Sequence, residues 1–184
     1  MNQIADVCRG IRYPENYFSF IHSRSMKTVV HQWPEYVREI FRVTASGGHL
    51  QLTETMGFIP NTGTLPYDSA LKVIERAVHK HAVITQCDFE VAPKLVDMVR
   101  DAGYRGVEEK IFEIPVGNWH SDPNLNKAGS LMMEHIIEES SGWVRNAMIE
   151  MGIPEDTVDL YLEKARRELR DPRYQLNIKV YFLF

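Results

Sequence analysis

A strand, a helix, a glycine turn and a second strand follow one another between residues 17 and 55, and this order constrains the fold more than any other feature. The stretch 17–23, YFSFIHS, packs four apolar side chains into five positions, which is typical of a strand covered on both faces. Residues 33–42, WPEYVREIFR, place their apolar side chains on one helical stripe behind an early proline. Gly47-Gly48 then precede HLQLTET, residues 49–55, where leucines alternate with polar residues. The pattern predicts a parallel sheet with helices on its faces.

The remainder of the chain extends this α/β pattern and interrupts it once. Residues 119–170 read as wholly helical, which predicts an insertion between two strands. Spacing and alternation predict further strands over residues 3–10, 106–117 and 174–184, and helices over 66–81 and 91–102. A length of 184 residues indicates a single domain, 1–184.

Charge and cysteine content exclude several kinds of protein. Twenty-one basic and twenty-five acidic residues, with no basic block, argue against nucleic acid as a ligand. Two cysteines without a CxxC pair indicate neither a disulfide framework nor a zinc site. His79 and His81 are two residues apart on a helix and point in different directions, so no metal site is predicted there. With no apolar run of about 18 residues and no signal peptide, the expected location is the cytoplasm, or the nucleus, with no membrane partner.

Five features in order resemble class I S-adenosylmethionine-dependent methyltransferases, and are most similar to the fungal group of LaeA-type regulators and secondary-metabolite enzymes. The features are His22-Ser23-Arg24 at a strand end, Trp33-Pro34, Gly47-Gly48, Glu54 and Trp119-His120-Ser121-Asp122-Pro123. The resemblance covers nearly all of the chain. It implies the C-terminal part of a Rossmann-like sheet, with helices on both faces and a helical insertion before the last strand. The insertion, 119–170, would form a lid on the acceptor side.

The resemblance also implies a cofactor, S-adenosylmethionine, and places residues near it. Asp6 would meet the adenine amino group, Val7 would pack on the base, and Arg24 would meet a carboxylate of the cofactor or of the substrate. The glycine-rich loop and the acidic ribose-binding residue of the family have no counterpart in this sequence. The first two strands of the family would then lie upstream of Met1, and the chain by itself is expected to bind the cofactor feebly or not at all.

Methyl transfer needs a base only when the acceptor must lose a proton, and histidine suits that role near neutral pH. His22, at a strand end, is the best-placed candidate; the competing interpretation is a histidine that only caps the strand or bonds to a carbonyl. For Arg24, a surface ion pair competes with a ligand contact. Asp122 is interpreted as the cap of a helix that Pro123 begins rather than as a partner of His120 in a substrate site. Met132, Met133, Met148, Met151 and Trp143 are interpreted as core rather than as an acceptor pocket.

Three functional hypotheses remain open. The chain is a truncated methyltransferase that acts on a small-molecule acceptor, or a catalytically inactive methyltransferase-like partner or regulator, or a catalyst of different chemistry with the same pocket. For the second hypothesis, a sheet edge left open by missing strands would pair with a protein partner or with a second copy.

Overall fold

A computed structural model describes residues 6–61 and 64–184 as a mixed α/β fold. Four strands form one sheet in the order β1-β2-β4-β3. The strands are β1 (Phe18–Arg24), β2 (Thr44–Pro60), β3 (Glu109–Val116) and β4 (Leu176–Leu183). The helices are α1 (Trp33–Val43), α2 (Ala70–Thr85), α3 (Leu95–Asp101), α4 (Pro123–Glu139), α5 (Arg145–Glu150) and α6 (Glu155–Leu169).

The sheet is mixed rather than wholly parallel. Strands β1 and β2 pair in parallel, with Ile21 opposite Leu50. Glu108 and Phe184 exchange both of their backbone hydrogen bonds, the pattern of an antiparallel pair, so β4 runs against β3. The Asn61 amide donates to the Gln175 carbonyl, which puts the end of β2 beside the start of β4. The expectation of a parallel sheet is therefore wrong for β4, which lies antiparallel between β2 and β3.

The described residues group into two compact units, and the first contains β1 and α1. It comprises residues 6–56, 85–112 and 180–184. Its core forms where the apolar stripe of α1 meets α3 and the leucines of β2. The fully enclosed side chains of this core include Val37, Ile40, Leu52, Leu95 and Leu183. The strand alternation at Leu50 and Leu52 thus marks a buried face, as the sequence predicts.

The second unit comprises residues 57–61, 64–84 and 113–179. Its core joins α2, α4, α5 and α6 with the last residue of β3 and the first residues of β4. Met148 is fully buried there, while Met132, Met133, Met151 and Trp143 are partly buried against the same core. The core interpretation of these side chains is confirmed. The prediction of an all-helical stretch between β3 and β4 is also confirmed, with a π-helical segment, Ser140–Val144, between α4 and α5.

Three element predictions need correction. Of the strand expected over residues 3–10, residues 3–5 lie outside the described residues, and Val7–Arg9 form a 3-10 turn closed by the Arg9 amide on the Asp6 carbonyl. Helix α2 begins four residues after the predicted Pro66 because the Glu168 carboxylate accepts the Ala70 and Leu71 amides. The helix predicted over 91–102 is split: a 3-10 turn, Ala92–Lys94, which contains a proline, precedes α3. No helix within the described ranges is long and apolar enough to cross a membrane.

Candidate functional site

Strand β1 ends in a polar turn that the first unit holds tightly. The Ser23 hydroxyl and the Tyr36 hydroxyl are 2.9 Å apart and both side chains are buried, which ties the end of β1 to α1. One residue past the strand, Ser25 adopts φ 56°, a conformation that L-residues seldom take, while its amide donates to the Thr53 carbonyl. The chain thus turns sharply away from the sheet at the carboxyl end of β1.

The next residues close a small turn against Glu54 and Thr55, in the middle of β2. The Met26 amide donates to Glu54 Oε1 at 2.6 Å, and the Lys27 ammonium donates to both the carbonyl and the hydroxyl of Thr55, at 2.8 Å each. The amides of Val29 and Val30 both donate to the Met26 carbonyl. We call residues Ser25–Val30 the β1 turn. Its contacts fix the backbone that leads into α1.

A cavity of about 280 Å³ lies beside the β1 turn and the start of α1. Its lining combines apolar and polar groups from residues 7–10 and from residues 30–39: Val7, Gly10, Val30, His31, Gln32, Glu35, Tyr36 and Glu39. The volume is close to the lower end of the roughly 300–1,000 Å³ typical of small-molecule pockets. Apolar walls with amide, imidazole and carboxylate groups around them can take a flat heterocycle with polar edges.

The N-terminal wall of this cavity is fixed by a charged pair on α1. Arg42 donates to Glu39 and also to the carbonyls of Ile11 and Tyr13, while the Ile11 amide donates to Glu39. The hydrogen bond from Arg42 holds the pKa of the Glu39 carboxyl below its ordinary value, so this group stays ionised near neutral pH. The pair therefore anchors the segment that carries Val7 and Gly10 to the helix.

The four cofactor or catalytic residues predicted from sequence fall in two places. Val7 lines the cavity, and Asp6, one residue earlier, is exposed and pairs with Arg9. His22 and Arg24 are exposed on β1. Because Ser23 points to α1 and side chains alternate along a strand, these two residues lie on the opposite sheet face. The four residues are thus not gathered around one point, and their roles stay predictions.

Asp122 and His120 belong to the second unit. Asp122 has the geometry of a helix cap: its carboxylate accepts the amides of Asn124 and Leu125, and Pro123 is the first residue of α4. These two amides hold the pKa of Asp122 below its ordinary value. His120 accepts the Asp122 amide through Nδ1. The capping interpretation is confirmed.

Sequence reasoning cited Glu54 only as part of a motif and missed its environment. Its side chain is 1% exposed, and its Oε2 atom has no hydrogen-bond partner among the described residues. Burial raises the pKa of this carboxyl, while the hydrogen bond from the Met26 amide and the charge of Lys27 oppose the rise. A signal was present in the sequence, because Glu54 continues the alternation of Leu50 and Leu52 and so occupies a core-facing position.

Comparison with known proteins finds fungal relatives and solved structures of similar fold, whereas no family model matches. The protein named methyltransferase pytC, from Aspergillus terreus, is 31% identical over 140 residues, which are 73% of this chain and 42% of that protein. The protein named methyltransferase cpsF, from Aspergillus campestris, is 24% identical over 112 residues, 60% of this chain and 40% of that protein. The chain therefore spans about two fifths of the length of the curated relatives it matches.

Among solved structures, phosphoethanolamine N-methyltransferase 2 of Haemonchus contortus, in complex with phosphomonomethylethanolamine and S-adenosylhomocysteine, matches 98% of this chain and 35% of its own. The TM-score is 0.51 at 13% identity, so the likeness concerns the fold alone. The predicted fold class, an α/β fold with a Rossmann-like sheet and helices, is confirmed.

Proposed function

We propose that this chain is part of an S-adenosylmethionine-dependent methyltransferase of the fungal LaeA-like, secondary-metabolite group, and that it acts on a small-molecule acceptor in the cytoplasm or the nucleus. Similarity to two fungal proteins named methyltransferases supports the activity. The order of the five sequence features supports the group. The observation that carries the proposal is the cavity beside α1, because it lies next to the carboxyl end of β1, where open α/β sheets bind ligands.

The cavity fits the adenine end of the cofactor. Val7 and Val30 provide apolar surfaces for the faces of a base, and Gln32 and His31 provide groups that hydrogen-bond to its edges. The proposed role of Val7 is the one that the family resemblance implies, packing on the base. Asp6, the adjacent residue, is the proposed partner of the adenine amino group.

The cofactor, when bound, supplies an electrophilic methyl group. His22 is proposed to accept the proton of an acceptor hydroxyl or amine, since it is exposed on β1 and histidine is a common general base. Arg24, two residues along the same strand face, is proposed to meet a carboxylate. The helical insertion 119–170 is proposed to contact the acceptor.

Titration with S-adenosylhomocysteine tests the proposal directly. We expect this chain to make about half of the contacts that a full enzyme makes with the cofactor, and so to retain about half of the binding free energy. A dissociation constant that is micromolar in a full enzyme then becomes on the order of 1 mM. Saturation-transfer NMR detects affinities of that order. We expect S-adenosylhomocysteine to bind weakly and adenosine to compete with it, because the adenine end of the ligand makes the proposed contacts.

A cavity-filling variant and a matched control locate the binding. Glu35→Trp places a large ring at the cavity from an exposed position of α1, whereas Arg38→Trp places the same ring at an exposed position of α1 that does not line the cavity. The first variant is expected to lower the affinity at least tenfold and the second to leave it unchanged. Absence of binding at millimolar ligand, or equal affinities in the two variants, refutes the cavity as the cofactor site. Micromolar affinity contradicts the expectation of feeble binding instead.

The alternative candidate is a non-catalytic partner or regulator that acts through β1. One observation favours it: β1 is an edge of the sheet formed by the described strands, and Phe20 on it is 56% exposed. Unpaired strand edges with apolar side chains pair readily with another chain.

Sedimentation velocity at micromolar concentration tests this alternative for a second copy. A dimer that Phe20→Lys dissociates would favour it, because a lysine on an edge strand disfavours pairing. A monomer in the unsubstituted chain would count against self-pairing.

A further inference from the structure

Glu54 joins the middle of β2 to the β1 turn, whose last residue, Val30, lines the cavity. Through Oε1 it accepts the Met26 amide at 2.6 Å, and the Met26 carbonyl in turn accepts the amides of Val29 and Val30. Val30 is almost completely buried and lines the cavity, as does the next residue, His31. One carboxylate is thus linked through Met26 to Val30, which faces the cavity and directly precedes His31.

Holding the turn with a buried carboxylate lowers the stability of the fold. Its second oxygen, Oε2, is buried without a partner among the described residues, and a buried charge with unmet hydrogen-bonding capacity destabilises a fold. Burial raises the pKa of Glu54, which means that ionisation is less favourable here than in a free glutamate, although the amides of Met26 and Lys27 and the charge of Lys27 oppose the rise. An amide side chain of the same shape would avoid the charge penalty.

We propose that Glu54 is a positioning residue: its carboxylate holds the β1 turn in the conformation that forms the cavity wall, and the chain retains it at a cost in stability. A hydrogen bond to an ionised acceptor is about twice as strong as one between neutral groups, which explains why a carboxylate serves where an amide would be better tolerated. Residues kept at a cost in stability are characteristic of functional sites. The significance of the cavity rests on the proposed function, but the hold on the turn can be tested without any ligand.

The test is Glu54→Gln in the full chain, measured by hydrogen exchange and by urea unfolding at pH 7. The amides of Met26, Val29 and Val30 are expected to exchange about tenfold faster, because a charge-assisted bond is replaced by a neutral one. Exchange in β4 is expected to stay as it was. The unfolding midpoint is expected to be equal to or higher than that of the unsubstituted chain, since the buried charge is gone. The affinity for S-adenosylhomocysteine is expected to fall by a similar factor.

Glu168→Gln is the matched control. Glu168 also accepts backbone amides, those of Ala70 and Leu71 at the start of α2, and it belongs to the second unit. The Glu168→Gln variant is expected to speed amide hydrogen exchange at the start of α2 and to leave exchange in the β1 turn unchanged.

Each other outcome overturns a defined part of the proposal. Unchanged exchange of the β1 turn in Glu54→Gln refutes the hold on the turn. A lower unfolding midpoint with faster exchange throughout the first unit shows an ordinary structural residue and refutes the cost in stability. Faster local exchange with unaltered ligand affinity refutes the link to the cavity. If the unsubstituted chain binds no S-adenosylhomocysteine, the proposed function fails, while the exchange and unfolding data still decide the role of Glu54.

Discussion

Replacing Gly129 with alanine should destabilise the second unit even though alanine is the better helix former. Gly129 is buried in α4, and a Cβ atom at this position would overlap the Gly117 carbonyl oxygen and approach Pro115 Cβ to 3.1 Å. The Gly129 carbonyl also accepts the Gly117 amide at 2.9 Å. Because the obstacle is backbone rather than a flexible side chain, α4 must move away from the end of β3 to make room.

The opposing contributions can be compared in magnitude. Alanine gains about 1 kcal/mol over glycine in a helix interior. Overpacking costs about 1–3 kcal/mol, and weakening the Gly117–Gly129 hydrogen bond costs about 1 kcal/mol more. The net expectation for Gly129→Ala is a loss of about 1–3 kcal/mol in the free energy of unfolding.

Urea unfolding followed by circular dichroism measures this loss, with Gly142→Ala as the control. Gly142 lies in the π-helical segment after α4, and a Cβ atom there meets nothing within 4 Å. Gly142→Ala is expected to be neutral or to stabilise by up to about 1 kcal/mol. A Gly129→Ala variant as stable as the unsubstituted chain would refute the close approach of α4 to β3.

Two further predictions concern polar pairs. The hydrogen bond from Arg173 holds the pKa of Asp171 at about 2, against an ordinary value of 3.8, so the stabilisation from this pair is complete above the unfolded pKa and is lost as the pH falls toward 2. NMR titration of the Asp171 carboxyl should show this midpoint, and Arg173→Gln should move it back toward 3.8; an unmoved midpoint would contradict the pairing. For the buried hydroxyl pair, a double-mutant cycle with Ser23→Ala and Tyr36→Phe should give a coupling of about 1 kcal/mol in the free energy of unfolding. Additive effects of the two substitutions would mean that the hydroxyls do not interact.

Local patterns located β1, α1 and β4, but they did not determine the neighbours of β4. The alternation over residues 174–184 specifies a strand and its two faces, and nothing in it specifies direction or partners. The position of β4 between β2 and β3 follows from its pairing with residues more than 70 positions away, such as that of Phe184 with Glu108. The start of α2 was misplaced for a similar reason, since Glu168, which accepts its first amides, is almost 100 residues distant.

The sequence predicted only part of the candidate site. The Asp122 cap was correctly inferred from its position before Pro123. Val7 lines the cavity, and its contact with the cofactor stays a prediction. Glu54 was not predicted as a functional residue, because its significance depends on burial under the β1 turn and on the Met26 amide. The placement of His22 and Arg24 on the face opposite Ser23 could have been inferred from alternation alone.

By itself the sequence located the four strands and most of the helices, because these depend on the spacing of side chains along a few turns or pleats; it wrongly predicted a strand over residues 3–10 and one continuous helix over 91–102. It also carried the family resemblance, through motifs that are local. Only the tertiary structure decided the antiparallel insertion of β4, the wall that residues 7–10 and 30–39 form together, and the contact of the buried Glu54 carboxylate with the Met26 amide. These features depend on which distant segments come into contact, and the cost of a buried charge exists only after those contacts have removed water from it.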